Sequence, residues 1–103
     1  MNTFVLLMKL TDEGARAIYD APARIDAGIK SFEAMGGKIT GFWILTGEYR
    51  YLAVGEVPSA EVLMKFSAAI ESQGKVRTMA IPAFTKEEFA RFLGHPVAAA
   101  VAV

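Results

Sequence analysis

The sequence predicts an α+β domain in which a four-stranded antiparallel sheet carries two helices on one face. Four short apolar runs, rich in β-branched and aromatic residues, have the character of strands and cover residues 3–10, 38–45, 48–57 and 76–84. Helical periodicity separates the first run from the second and the third from the fourth. A turn at Thr46-Gly47-Glu48 joins the two middle runs as a hairpin. With 103 residues, the chain forms one domain.

Capping and stop signals support these elements. Ser and Thr suit helix N-caps, proline suits the first turn, and glycine suits the residue that follows a helix. The predicted helix starts are Thr11, Asp20 with Pro22, Ser59 and Thr85, and the predicted stops are Gly36-Gly37 and Gly74.

The resulting order is βαββαβ with a short extra helix that ends at Leu93, which is the ferredoxin-like arrangement. Right-handed crossovers place the first and third strands in the centre of the sheet. Pro82 suits an edge position in the last strand, because proline cannot donate to a neighbouring strand. We expect residues 1–94 to form this domain and residues 95–103 to form a small apolar tail.

Composition excludes several classes of function. The 11 basic and 11 acidic residues balance, which argues against a nucleic acid or an anionic membrane as the main partner. The chain has no cysteine, so disulfides and thiol chemistry are excluded, and a single histidine, His95, is weak support for a metal site. No apolar run is long enough for a signal-peptide core or a membrane span, so we expect a cytoplasmic protein. No glycine-rich phosphate-binding loop appears, and we expect no cofactor.

The strands are apolar on both faces, although two helices can cover only one. Phe4, Leu6 and Met8 alternate with Val5 and Leu7 on the first strand. An antiparallel face left in water normally alternates to polar residues. We therefore expect a homodimer or higher oligomer that packs sheet face against sheet face. Valines in the tail (Val97, Val101 and Val103) are expected to extend this interface or to lie on the sheet edge.

The hairpin register decides which aromatic residues share a face. A three-residue loop pairs Leu45 with Tyr49 and groups Trp43 with Tyr49, Tyr51, Gly41 and Ala53, which is the arrangement the sequence favours. A two-residue loop groups Trp43 with Arg50 instead, because a slip of one residue reverses the faces.

Candidate ligand-binding residues come mainly from this hairpin. Trp43, Tyr49 and Tyr51 are suited to wall a pocket, and packing in the core or at an interface is the alternative. Arg50 and Arg77 are suited to bind an anionic oxygen, and structural ion pairs with Glu48, Glu56 or Glu71 are the alternative. No catalytic set can be assembled from the sequence.

Several segments resemble the GYD-domain family over roughly residues 3–93: TFVLLMKLTDEG, DAPARIDA, TGEYR and KVRTMAIPAFT. Gly47 and Tyr49 match the family's Gly-Tyr-Asp signature, whereas Arg50 stands at the Asp position. The resemblance implies a small bacterial or archaeal protein of the ferredoxin-like, dimeric α/β-barrel type. The role of the Asp does not carry over to Arg50, and the family brings no settled biochemical role.

Three functions are consistent with these patterns. The first is an oligomeric protein that binds a small, partly apolar ligand in a sheet-face cavity. The second is a cofactor-free monooxygenase or isomerase in which Tyr49 or Tyr51 donates a proton and Arg77 holds an anionic oxygen. The third is a structural or interaction module whose sheet face is filled by its partner.

Overall fold

The computed structural model describes residues 1–94. His95 and the predicted contacts of the tail valines therefore lie outside the described residues. The elements in chain order are β1 (Asn2–Leu10), α1 (Asp12–Arg16), a 3₁₀ helix (Ile18–Asp20), α2 (Ala21–Ala34), β2 (Lys38–Ile44), β3 (Tyr51–Val57), α3 (Ala60–Glu71), β4 (Val76–Ala83) and α4 (Lys86–Leu93).

The four strands form one antiparallel sheet in the order β2-β3-β1-β4. The first and third strands lie in the centre, as the crossover rule predicts. Pro82 lies in β4, which is an edge strand of this sheet, so its missing N–H costs no bond to an outer neighbour. The α+β, ferredoxin-like prediction is confirmed.

Local signals place the helix ends. The Thr11 and Ser59 side chains accept hydrogen bonds from the backbone N–H groups of Gly14 (3.0 Å) and Val62 (3.3 Å). Thr85 and Glu88 form a reciprocal capping box at the start of α4. Asp20 precedes α2 as predicted, but its side chain makes no capping bond.

The core lies between the helices and one face of the sheet. Phe4 and Leu6 of β1 and Val57 of β3 are almost completely buried there. Phe32 of α2 packs edge-on against Phe4, with ring centroids 5.4 Å apart, and lies 4.7 Å from the ring of Phe66 of α3. Aromatic side chains bury large apolar areas, so this stack holds both helices to the sheet.

A tight junction joins the start of α1 to the segment before β4. The Thr11 N–H donates to the Lys75 carbonyl (3.0 Å), and the Thr11 hydroxyl donates to the Gly74 carbonyl (2.6 Å). Gly14 lies so close to the Lys75 carbonyl that a β-carbon at Gly14 would collide with it. Lys75 also pairs with Glu13 at 2.6 Å, and this bond lowers the pKa of the Glu13 carboxyl.

The favoured hairpin register is wrong. The Leu45 N–H donates to the Arg50 carbonyl (2.6 Å), so the loop between these residues has four residues instead of three. The Arg50 N–H donates to the Met8 carbonyl of β1 (2.8 Å), and this hydrogen bond holds the end of the hairpin loop against the central strand. The pairing shifts by one residue, so Trp43 lies opposite Leu52 and Ile44 opposite Tyr51.

None of the helices formed by residues 1–94 has the combined length and apolar character needed to cross a membrane.

Candidate functional site

The sheet face that no helix of residues 1–94 covers is the first candidate site. Cross-strand partners share a face, so the register defines two apolar rows that run across all four strands. We call this surface the open face; its rows are Trp43, Leu52, Leu7 and Met79, and Gly41, Val54, Val5 and Ile81. The alternating burial of β1 and β3 confirms that the opposite side chains face the helices.

Trp43 lies at the edge of the open face on β2. Its ring folds over Gly41, where a β-carbon would collide with it, so the glycine is needed for this ring position. Trp43 is 53% exposed, which is high for the largest apolar residue of the sheet. Trp43 is therefore available for contact with another molecule.

Tyr49 also lies on the open-face side, although it precedes β3. Its hydroxyl is 3.9 Å from the Met79 sulfur, and the Lys9 Nζ atom lies 5.5 Å from the centre of its ring. Lys9 is paired with Glu48 at 2.6 Å, and this hydrogen bond raises the pKa of Lys9. These contacts form a charged margin at one end of the apolar rows.

The two candidate arginines occupy different environments. Arg77 is exposed on β4 opposite Lys9, which places it at the same charged margin. Arg50 is half-buried, and its Nε atom is buried without a hydrogen-bond partner in the part of the chain that the structure describes. Among residues 1–94 neither arginine forms an ion pair, so the expected structural pairs with glutamates are not observed.

Tyr51 lies on the helix side of the sheet, away from Trp43 and Tyr49. It is only 5% exposed, and its ring packs 5.8 Å from that of Phe42. Its hydroxyl is buried and has no hydrogen-bond partner within the described part of the chain. The predicted grouping of Trp43, Tyr49 and Tyr51 on one face is therefore wrong for Tyr51, as it is for Ala53, because of the register shift.

A cleft on the helix side was missed by the sequence reasoning. It has a volume of about 270 Å³ and lies between α2, α3 and the sheet, with Tyr51 in its lining. Gly28 of α2 lines it too, and a β-carbon there would meet no atom of residues 1–94 within 4 Å. A glycine inside a helix costs stability relative to alanine, so Gly28 was the one available signal that this helix borders open space.

The fold and the open face define a small α+β protein of the ferredoxin-like class, with one face of its sheet uncovered by the helices of residues 1–94. The chain belongs to the GYD domain family, whose domain matches residues 4–93.

A curated relative from Thermus thermophilus is described as a glutamine synthetase and cystathionine beta-lyase binding protein. It is 30% identical over 84 residues, which cover 81% of this chain and 88% of the relative. Two solved structures share the fold. TTHA0845 from Thermus thermophilus matches with a TM-score of 0.53 and 21% sequence identity. This match covers 82% of the present chain and 95% of the TTHA0845 chain. The hypothetical protein PHS023 from Pyrococcus horikoshii matches with a TM-score of 0.52 and 18% sequence identity. This match covers 82% of the present chain and 92% of the PHS023 chain.

Proposed function

We propose that this chain is a self-associating protein-interaction module. In this proposal the open face of one copy packs against the open face of a second copy, and the assembly binds a further protein. The observation that carries the proposal is the pair of apolar rows that crosses the sheet without a polar interruption. Contiguous apolar surface of this kind marks an interface, because leaving it in water is unfavourable.

The charge pattern around the rows favours a second copy as the occupant. One end of the open face carries Lys9 and Arg77 together with Glu48, and the other end carries Glu56 opposite Lys38. Both ends have mixed charge, so two copies can approach without like-charge repulsion. A self-complementary patch is what a two-fold interface requires.

A second apolar surface lies on α4. Phe89, Phe92 and Leu93 are spaced as neighbours on one side of this helix, and each is more than half exposed. The corresponding stripes of α2 and α3 instead contribute to the core. An amphipathic helix with an uncovered apolar side suits a groove on another protein, so we assign the further partner to α4.

The curated relative supports a protein partner, since it is described as binding two metabolic enzymes. We infer that this chain also binds a metabolic enzyme, and glutamine synthetase and cystathionine β-lyase of its own host are the first candidates to test.

Self-association is tested by light scattering at micromolar concentration. We expect a mass of two chains or more for the unmodified protein and of one chain for Leu7→Glu, because the variant places a carboxylate at the centre of the interface. Met64→Glu is the matched control, since Met64 is an exposed residue of α3 on the other side of the sheet. A monomeric unmodified protein, or equal masses for all three, would contradict the proposal.

Partner binding is tested by surface plasmon resonance with the two purified enzymes. We expect Phe89→Glu to weaken binding at least tenfold. Tyr19→Glu, a change at an exposed aromatic residue outside α4, should leave it unchanged. If neither enzyme binds the unmodified chain, the inferred partner is wrong even if the chain dimerises.

Binding of a small ligand and catalysis by a cofactor-free enzyme stay predictions, and both would involve residues of the open face. Trp43, Tyr49 and Arg77 all lie on this side of the sheet, so a ligand held between two copies would meet them together. A role for Tyr51 as a proton donor beside Arg77 is disfavoured, because the two residues lie on opposite faces.

A further inference from the structure

We propose that the helix-side cleft binds a small monocarboxylate with an apolar aliphatic body, and that the Arg24 guanidinium holds the carboxylate. The cleft lies between α2, α3 and the sheet, on the side of the sheet opposite the open face. The proposal therefore goes beyond the protein-interaction role and does not depend on it.

The walls of the cleft are apolar and mostly aliphatic. Side chains of α2, α3 and the sheet contribute to them, among them Ile25, Ile29, Ile70, Met8 and Phe42. Removal of methyl and methylene groups from water into such surroundings is favourable. The volume of about 270 Å³ is just below the usual range of drug-sized pockets, so the cleft suits one short apolar chain.

One end of the cleft is polar and basic. The lining there consists of Arg24 from the first turn of α2 and of Gln73 and Lys75 from the segment between α3 and β4. Chain topology places them at one end, because α2 starts soon after β1 ends and α3 ends just before β4 starts. Leu10 at the end of β1 pairs with Val76 at the start of β4, so these two chain ends lie side by side. The cleft thus combines an apolar interior with a basic end.

Arg24 is the group at this end that selects the charge of a ligand. It forms no ion pair within residues 1–94, and no acidic residue of that range lines the cleft. Lys75, by contrast, is paired with Glu13 at 2.6 Å. Arg24 donates from Nη1 to the Ala17 carbonyl at 3.2 Å. A guanidinium group has five N–H donors and binds carboxylates through two of them, so this one bond leaves donors for a ligand.

The other polar groups of the lining do not distinguish between ligand charges. Ser31 and Gln73 are exposed, so their side chains can stay in contact with water whether or not a ligand is bound. The Tyr51 hydroxyl is buried out of reach of a ligand in the cleft and cannot orient one. An apolar body with a negative head group therefore matches both the walls and the Arg24 guanidinium.

The matched probes are octanoate and octan-1-ol, which have the same chain length and differ in the charge of the head group. We expect saturable calorimetric binding of octanoate, roughly tenfold tighter than that of octan-1-ol, with amide chemical-shift changes in α2 and α3. Arg24→Gln removes the charge and should weaken octanoate roughly tenfold, as loss of a hydrogen bond to a charged group implies, while leaving octan-1-ol binding unchanged. Lys30→Gln is the control, because Lys30 is an exposed residue of α2 outside the cleft lining, and it should leave both probes unaffected.

Gly28→Leu tests the location of the site. The added side chain has space in the cleft and should not disturb folding, so we expect an unchanged or higher melting temperature and loss of binding of both probes. Leu7→Glu, on the open face, should leave octanoate binding intact, which separates this proposal from the interface proposal. The proposal is overturned if octanoate does not bind, if both probes bind equally, if Arg24→Gln and Lys30→Gln have the same effect, if Gly28→Leu still binds, or if the shifts map to the open face.

Discussion

Trp43 of β2 lies opposite Leu52 of β3, and Leu52 pairs in turn with Leu7 of β1. Leu7 faces Met79 of β4, so four apolar side chains form one row from edge to edge of the sheet. This row gives Trp43 a place in the proposed interface, although in the single chain about half of its surface is exposed.

Trp43 should therefore report self-association directly. It is the single tryptophan of the chain, so its fluorescence can be read without interference from another indole. We expect emission at shorter wavelength and weaker acrylamide quenching at high protein concentration, and a shift to longer wavelength on dilution. Leu7→Glu should show the dilute-state spectrum at every concentration. A spectrum independent of concentration in the unmodified protein would argue against an interface at Trp43.

Gly14→Ala should destabilise the protein by about 1–3 kcal/mol, because the added methyl group collides with the Lys75 carbonyl in a packed junction. Gly28→Ala is the matched control, since the same change in α2 meets open space. It should stabilise by about 0.5–1 kcal/mol through helix propensity. Urea unfolding of both variants checks the pair, and equal effects would show that the junction is not tightly packed.

The Glu13–Lys75 pair should give stability that depends on pH. The Lys75 ammonium lowers the pKa of the Glu13 carboxyl in the folded protein below its unfolded value of about 4.3. The stabilisation is therefore present above about pH 4.3 and is lost as the pH falls through the lower, folded pKa. Glu13→Gln should melt slightly below the unmodified protein at pH 7, and the difference should disappear in strong acid.

Glu33→Gln is the control for that measurement, because Glu33 is an exposed residue of α2 that forms no ion pair within residues 1–94. A constant melting difference for Glu13→Gln from pH 7 to pH 2 would exclude the ion pair as its cause.

Thr85→Ala should weaken α4 by about 1 kcal/mol, because the Thr85 hydroxyl accepts from the Glu88 N–H at 3.1 Å at the start of this helix. Faster amide hydrogen exchange in α4, with little change in the sheet, is the expected result. Thr85→Ser keeps the hydroxyl and should exchange like the unmodified protein. If both variants exchange alike, the cap does not hold this helix.

The sequence by itself determined the element order, the strand order and most helix ends. These features depend on local chemistry. Thr11, Ser59 and Thr85 cap helices through their own hydroxyl groups, and short apolar runs rich in β-branched and aromatic residues indicate strands without reference to their neighbours. The apolar character of both sheet faces was also evident, as was the resemblance to the GYD-domain family.

The tertiary structure decided the register and the cleft. The four-residue loop after Leu45 is fixed by a bond from Arg50 to Met8, a residue more than forty positions away, and one residue of shift moved Tyr51 to the face opposite Trp43. The cleft depends on how far α2 and α3 stand apart on the sheet, which no local pattern encodes. Contacts distant in sequence set both features, because register and helix spacing are properties of the packed assembly of elements.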